Sequence, residues 1–255
     1  MTTTQGEKTP RPVYEKAYEP WSTIFVTDPL AIPLTPLLAK MRVHPNLITL
    51  VSLVTGVANG WFFARGQWVW GVALFEFSHF LDCLDGKVAR LRGLTSEFGM
   101  KLDLLADWTR KPSAFLGVGV YFYLQGQWLL VVLTGASLVV HAAFHYIYDA
   151  VGISNYDLEF PAFTRGVLRR YVPRLLNLYN WFDEQFVEFV VFPLLAVAAG
   201  LPRGAVWFLY GMGFCTLVAI VKMFISLNHK RKGWYGLLYQ NWAETKGNLD
   251  KAPPG

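Results

Sequence analysis

Four aspartates define the chemistry open to this chain. They stand in the pattern Asp82-x-x-Asp85-Gly86-x-x-Ala89-Arg90, then, eight residues on, Gly99-x-x-x-Asp103-x-x-x-Asp107. The stretches around them otherwise read as membrane helices. An ionisable residue there is costly and marks a functional site by default. At about 100° per residue, positions 82, 85, 86 and 89 fall on one helical face. That face offers two hard oxygen ligands, with Gly86 and Ala89 leaving room beside the backbone. Arg90 follows at the helix end, where it can meet an anion. Gly99, Asp103 and Asp107 repeat at i, i+4 and i+8, again as one stripe. Two antiparallel helices would bring the four carboxylates together around one or two divalent cations. All-oxygen ligation suits Mg²⁺, Mn²⁺ or Ca²⁺ rather than Zn²⁺. Such a site commonly handles phosphate. The structural alternative is a set of buried ion pairs, Asp82 with Arg90 or Asp107 with Lys111.

These acids need helices to position them, and the composition supplies apolar ones. Of 255 residues, 53% are hydrophobic and only 16% are charged. That is too apolar for an ordinary soluble domain. Cys83 and Cys215 lie far apart in apolar segments and imply no disulfide framework; both read as small buried hydrophobes. The net charge of +5 admits nucleic-acid binding, but the placement of the charges argues for a membrane surface and no nucleic acid. No N-terminal signal peptide is visible.

Six stretches are long enough to span a bilayer core: 46–64, 67–90, 96–123, 127–150, 180–200 and 204–228. Lys8, Arg11, Lys16, Lys40, Arg42, Arg90, Arg92, Lys101, Arg165, Arg169, Arg170, Arg174 and Lys230–Lys232 gather on one set of connections. Arg65 and Arg203 alone fall on the other. The positive-inside rule then puts both termini and the acids on the cytoplasmic side, in the cell membrane if the source is bacterial. Segment 20–40 holds Pro29, Pro33 and Pro36 and reads as too broken to span. It is expected to lie on the membrane surface as an interfacial, juxtamembrane amphipathic segment. The expected fold is all-α and integral to the membrane. A polar tail (1–19) precedes one embedded domain (20–229), and a cytoplasmic tail (230–255) follows.

The pattern over 82–107 resembles the signature of the CDP-alcohol phosphotransferases, also called CDP-alcohol phosphatidyltransferases. All eight fixed positions are present across 26 residues. Pro45-Asn46-Leu47-Ile48-Thr49 resembles the Pro-Asn-x-x-Thr element that opens the family's first membrane helix. The resemblance implies a reaction of phospholipid biosynthesis. A CDP-linked alcohol, often CDP-diacylglycerol, gives its phosphoalcohol part to a hydroxyl acceptor, and CMP leaves. It implies two Mg²⁺ or Mn²⁺ ions held by Asp82, Asp85, Asp103 and Asp107, with Asp107 as general base. Gly86, Ala89 and Arg90, together with Asp85, would line the cytidine and diphosphate site, and Asn46 and Thr49 would contact the diphosphate. No nucleophilic Ser or Cys constellation stands out, so direct transfer is expected. The resemblance is also compatible with a homodimer.

The acceptor is less legible. Lys111 continues the stripe of Asp103 and Asp107, with Arg110 beside it. These two, with Arg165 and Arg169, would bind an acceptor phosphate. Otherwise Lys111 neutralises the acids and the arginines meet anionic headgroups. His141 and His145 are spaced as metal ligands, but no third ligand is evident nearby, and polar packing is the expected role ahead of a place in the acceptor pocket. His79 sits one turn before Asp82 as a supporting or packing residue. Gly56-x-x-x-Gly60 would form either a dimer seam or a close contact inside the bundle. Two rival functions remain. One is a transferase moving a choline or ethanolamine phosphate from its CDP ester to diacylglycerol. The other is a divalent-cation transporter using the acids as an ion path.

Overall fold

The computed structural model describes residues 22–151, 186–200, 211–218 and 220–221. The expected stretches 1–19, 152–179 (with Arg165, Arg169, Arg170 and Arg174) and 230–255 lie outside the described residues, as does the His145 side chain. Among the described residues the chain is helical, with no strand.

A single π-helical turn, Thr23–Thr27, leads into α1, Asp28–Lys40. The helix runs on through Pro33 and Pro36. Pro29 occupies the first turn, where its missing N–H costs nothing. Thirteen residues reach only about 20 Å, short of a bilayer core of about 30 Å. Asp28, Ala31 and Thr35 turn inward, and α1 packs along the third helix.

The next four helices follow the expected spans closely: α2 Pro45–Ala64, α3 Trp68–Arg92, α4 Glu97–Leu124 and α5 Trp128–Val151. Local chemistry sets their ends. His44 caps α2 by accepting the Asn46 N–H at Nδ1, and Pro45 fills the first turn. Gly93, at φ 65°, closes α3 in the left-handed conformation that glycine adopts without a Cβ clash. Ser96 caps α4 through the Gly99 N–H at 3.0 Å. The α2–α3 and α4–α5 connections are near copies, Arg65-Gly66-Gln67-Trp68 and Gln125-Gly126-Gln127-Trp128. Each turns through a glycine at φ near 70°. Beyond them, a π-helical segment, Val187–Val191, runs into α6, Phe192–Ala198, and residues 211–218 are helical. Of the described helices, α2 is the one both long and apolar enough to cross a membrane on composition. α3 and α4 have the length, at 25 and 28 residues, but carry the charges of the motif.

The helices α2, α3 and α4 form the frame, with α2 packed along both others. Small residues allow it. A Cβ on Gly60 would collide with the Ser113 carbonyl oxygen, and one on Gly117 with the Gly60 carbonyl oxygen. Gly56 faces Ser78 and Arg110. The Gly56/Gly60 pair therefore serves packing inside the bundle. Ser52 and Ser78 clasp α2 to α3 by donating to each other's backbone carbonyl, both at 2.8 Å. Towards the end away from the acids the core is aromatic: Phe63, Trp68, Phe75, Phe115, Phe122 and Phe189 pack together.

Candidate metal and phosphate-handling centre

The frame puts both acid pairs into one electrostatic neighbourhood. Asp82 feels Asp103 and Asp107 across the α3–α4 interface, and so does Asp85. The two pairs differ in setting. Asp85 is buried next to Thr49, whose hydroxyl donates to the Pro45 carbonyl oxygen at 3.1 Å. The Asp82 side chain is 15% exposed, whereas that of Asp107 is 50% exposed. Asp103 lies between these extremes.

Arg110 joins the pairs. Its side chain is 2% exposed, it forms an ion pair and hydrogen bond with Asp107 on its own helix, and it stands 3.7 Å from Asp82 on α3. The ion pairs foreseen as alternatives were Asp82–Arg90 and Asp107–Lys111; the cation that bridges both acids is Arg110. Its guanidinium is committed to the carboxylates, and Asn59 fixes its backbone by donating to the Arg110 carbonyl oxygen at 3.3 Å.

The flanking residues also fall into place. Arg90 curls back over Gly86, so that a Cβ there would lie 3.2 Å from a guanidinium nitrogen. Ala89 sits at the same end of α3 and is half-buried. The Asn46 side-chain oxygen is the nearest neighbour of Gly99 across the helix gap, 3.1 Å from a Cβ placed there. Thus Asn46, Thr49, Asp82, Asp85, Gly86, Arg90, Asp103 and Asp107 converge at one end of the frame. Lys111 lies one turn beyond Asp107 on α4, within electrostatic reach of His141 on α5.

By chemistry the four carboxylates suit a hard divalent cation, though among the described residues no three of them bring oxygens within 4.8 Å of one another. Asp82 Oδ1 and Asp85 Oδ2 are buried and accept no hydrogen bond among the described residues. Carboxylate oxygens held apart from water in mutual repulsion call for positive charge. Arg110 supplies one such charge against four acids, which leaves room for ions of higher charge.

Several supports lay beyond sequence reasoning. Lys87, buried inside the motif, pairs with Asp28 at 2.9 Å and so ties α1 to the back of α3. Arg92 donates to the Val43 carbonyl oxygen at 2.7 Å, holding the α1–α2 junction to the end of α3. His141 pairs at 3.2 Å with Glu188, which is buried in the π-helical segment. His79 contacts Cys83 at 3.8 Å and Thr23 at 3.5 Å. Cys83, read from the sequence as a small buried hydrophobe, is half-buried.

Comparison with known proteins agrees with this geometry. Residues 42–165 match the family model described as CDP-alcohol phosphatidyltransferase. A CDP-diacylglycerol–serine O-phosphatidyltransferase of Helicobacter pylori is 40% identical over 76 residues, which cover 30% of this chain and 30% of that enzyme. A phosphatidylinositol phosphate synthase of Cutibacterium acnes is 32% identical over 123 residues, covering 45% of this chain and 56% of that one. The matches thus span from under a third to a little over half of these relatives. The fold is similar to that of the Mycobacterium tuberculosis phosphatidylinositol phosphate synthase. The structure of that enzyme with manganese and citrate gives a TM-score of 0.58 at 20% identity, covering 78% of this chain and 88% of that one. Its structure with CDP-DAG bound gives 0.54, covering 78% and 92% at the same identity. The chain carries, over residues 42–165, a domain of the CDP-alcohol phosphatidyltransferase family.

Proposed function

We propose that this protein is a membrane enzyme of phospholipid biosynthesis that transfers a phosphatidyl group from CDP-diacylglycerol to a small hydroxyl acceptor and releases CMP. The convergence of four carboxylates from α3 and α4 beside Asn46 and Thr49 of α2 carries the reading.

The membrane part rests on an inside-out distribution. On α2, Ser52 and Asn59 are fully buried, while Val54 and Trp61 are 61% and 62% exposed. A water-soluble bundle would reverse this; lipid favours it, because polar groups must find partners inside the protein. The charge pattern supports six spans, an active end on the cytoplasmic side, and α1 lying along that surface.

Asp82, Asp85 and Asp103, together with Asp107, would hold two Mg²⁺ or Mn²⁺ ions. Bound there, the ions would neutralise the diphosphate oxygens of the donor and the charge growing on CMP. Asn46, Thr49 and Arg90 would position the diphosphate, and the small residues Gly86 and Ala89 would admit the cytidine once the Arg90 guanidinium, which lies over Gly86, turns to the diphosphate. Asp107 is the acid best placed as base, because its carboxylate is the most accessible to an entering hydroxyl. It would take the acceptor proton as the hydroxyl oxygen attacks the phosphorus bearing diacylglycerol. The bond from that phosphorus to the CMP oxygen breaks, and CMP departs. Arg110 would hold Asp107 oriented between turnovers.

Mass spectrometry of lipid products tests this reading. The protein would be supplied in bilayers with CDP-diacylglycerol, Mn²⁺ and either serine, inositol phosphate or glycerol phosphate. One acceptor is expected to give a new phosphatidyl lipid in equal amount to CMP. Product only from CDP-choline or CDP-ethanolamine with diacylglycerol would replace the donor, and no product with any pair would overturn the assignment.

A further inference from the structure

The helix that carries two hard carboxylates also carries softer ligands on the same face. His79, Asp82 and Cys83 stand at i, i+3 and i+4, and each offers one ligand atom within 4.8 Å of the others. All three are half-buried, so an ion can reach them. The nearest pair, His79 Nε2 and Cys83 Sγ, is 3.8 Å apart. Tetrahedral Zn²⁺, with bonds of about 2.3 Å to sulfur and about 2.0–2.1 Å to nitrogen, sets such a pair roughly 3.5 Å apart. The imidazole and sulfur therefore stand close to their ligating separation before any ion arrives. Asp82 Oδ1 is buried without a hydrogen bond, and the Thr23 hydroxyl, 3.5 Å from His79 Nε2, flanks the open side.

We propose that His79, Asp82 and Cys83 form a second cation site, distinct in chemistry from the all-oxygen centre, that takes a soft divalent ion such as Zn²⁺ and thereby inhibits the enzyme. Thiolate and imidazole select Zn²⁺ over Mg²⁺ or Mn²⁺. Asp82 belongs to both constellations. A soft ion held by His79 and Cys83 draws the Asp82 carboxylate towards itself and away from Asp85, Asp103 and Asp107. The inhibitory consequence rests on Asp82 serving the phosphate-handling centre; the binding itself does not.

Two readouts separate those parts. Cd²⁺ would be titrated into the purified protein, and the sulfur-to-metal charge-transfer absorption followed. One equivalent is expected to bind with that band. Cys83→Ser should abolish it, His79→Gln should weaken binding at least tenfold, and Cys215→Ser should leave it unchanged. No band in the wild type, or a band that survives Cys83→Ser, overturns the site. Zn²⁺ inhibition of Mn²⁺-dependent CMP release forms the second arm. Cys83→Ser is expected to raise the half-inhibitory Zn²⁺ concentration at least tenfold with the uninhibited rate unchanged. Unaltered inhibition beside a lost Cd²⁺ band would overturn the coupling through Asp82. A protein that releases no CMP under any condition would refute the transferase reading instead, and the Cd²⁺ band would still decide the site.

Discussion

The acid pair on α3 and the acid pair on α4 have the same chemistry in different surroundings. Asp85 is buried beside Thr49 of α2 and the Asp82 side chain is 15% exposed, while that of Asp107 stands half open. Burial suits a carboxylate to a ligand's role, since water competes less for its oxygens. Openness lets a carboxylate meet a second substrate and exchange a proton. On the proposed reading, one motif would divide between holding and reacting, with the burial of Asp85 beside α2 and the exposure of Asp107 setting the division.

Substitution can break that contrast. The largest effect is expected from Asp85→Asn, which removes a buried ligand charge: both CMP release and Mn²⁺ binding, followed by electron paramagnetic resonance, should be lost. Asp107→Asn should lower kcat by about 10²–10⁴-fold, the usual range for a general base, with Mn²⁺ binding weakened far less. Equal loss of Mn²⁺ binding in both variants would erase the distinction between the pairs.

Arg110→Met comes next. Removing one partner from a buried charge pair costs about 3–5 kcal/mol, which thermal unfolding would read as a lower Tm. Because Asp82 and Asp107 then lose the guanidinium that joins them, added Mn²⁺ should raise the Tm of the variant more than that of the wild type. A smaller rise would mean that Arg110 is not the countercharge of the cluster.

The smallest effect sharpens the role of α2. Gly60→Ala would push against the Ser113 carbonyl and should cost about 1–3 kcal/mol, typical of overpacking. Gly135→Ala, where a Cβ meets nothing within 4 Å, should be neutral or stabilising by up to about 1 kcal/mol. Equal stabilities, again from Tm, would contradict the close α2–α4 crossing.

Much of this was legible in the chain. The four acids announce themselves because charge in an apolar helix is costly, and their i, i+3 and i+4 spacing reports a shared face. Pro45, Gly93 and Ser96 mark helix ends by their own backbone and capping chemistry. Contacts between distant segments were not legible. Arg110 lies beside Lys111, and only the crossing of α3 and α4 shows which of the two meets Asp82. Lys87 looks like a spacer within the motif until α1 brings Asp28 against it. The prolines of α1 argued against a spanning helix, but that the chain stays helical through Pro33 and Pro36 was not legible. Glu188 lies far along the chain from His141, and no local pattern links them.

The central claim is that the four carboxylates form a divalent-metal centre that releases CMP from CDP-diacylglycerol. The most direct measurement strips the protein with chelator, adds CDP-diacylglycerol and a hydroxyl acceptor, and follows CMP while Mn²⁺ is titrated back, with Asp85→Asn in parallel. The account predicts no CMP without metal, saturable release as Mn²⁺ returns, and none at any Mn²⁺ concentration in the variant. Metal-independent release, or an Asp85→Asn protein as active as the wild type, would contradict it.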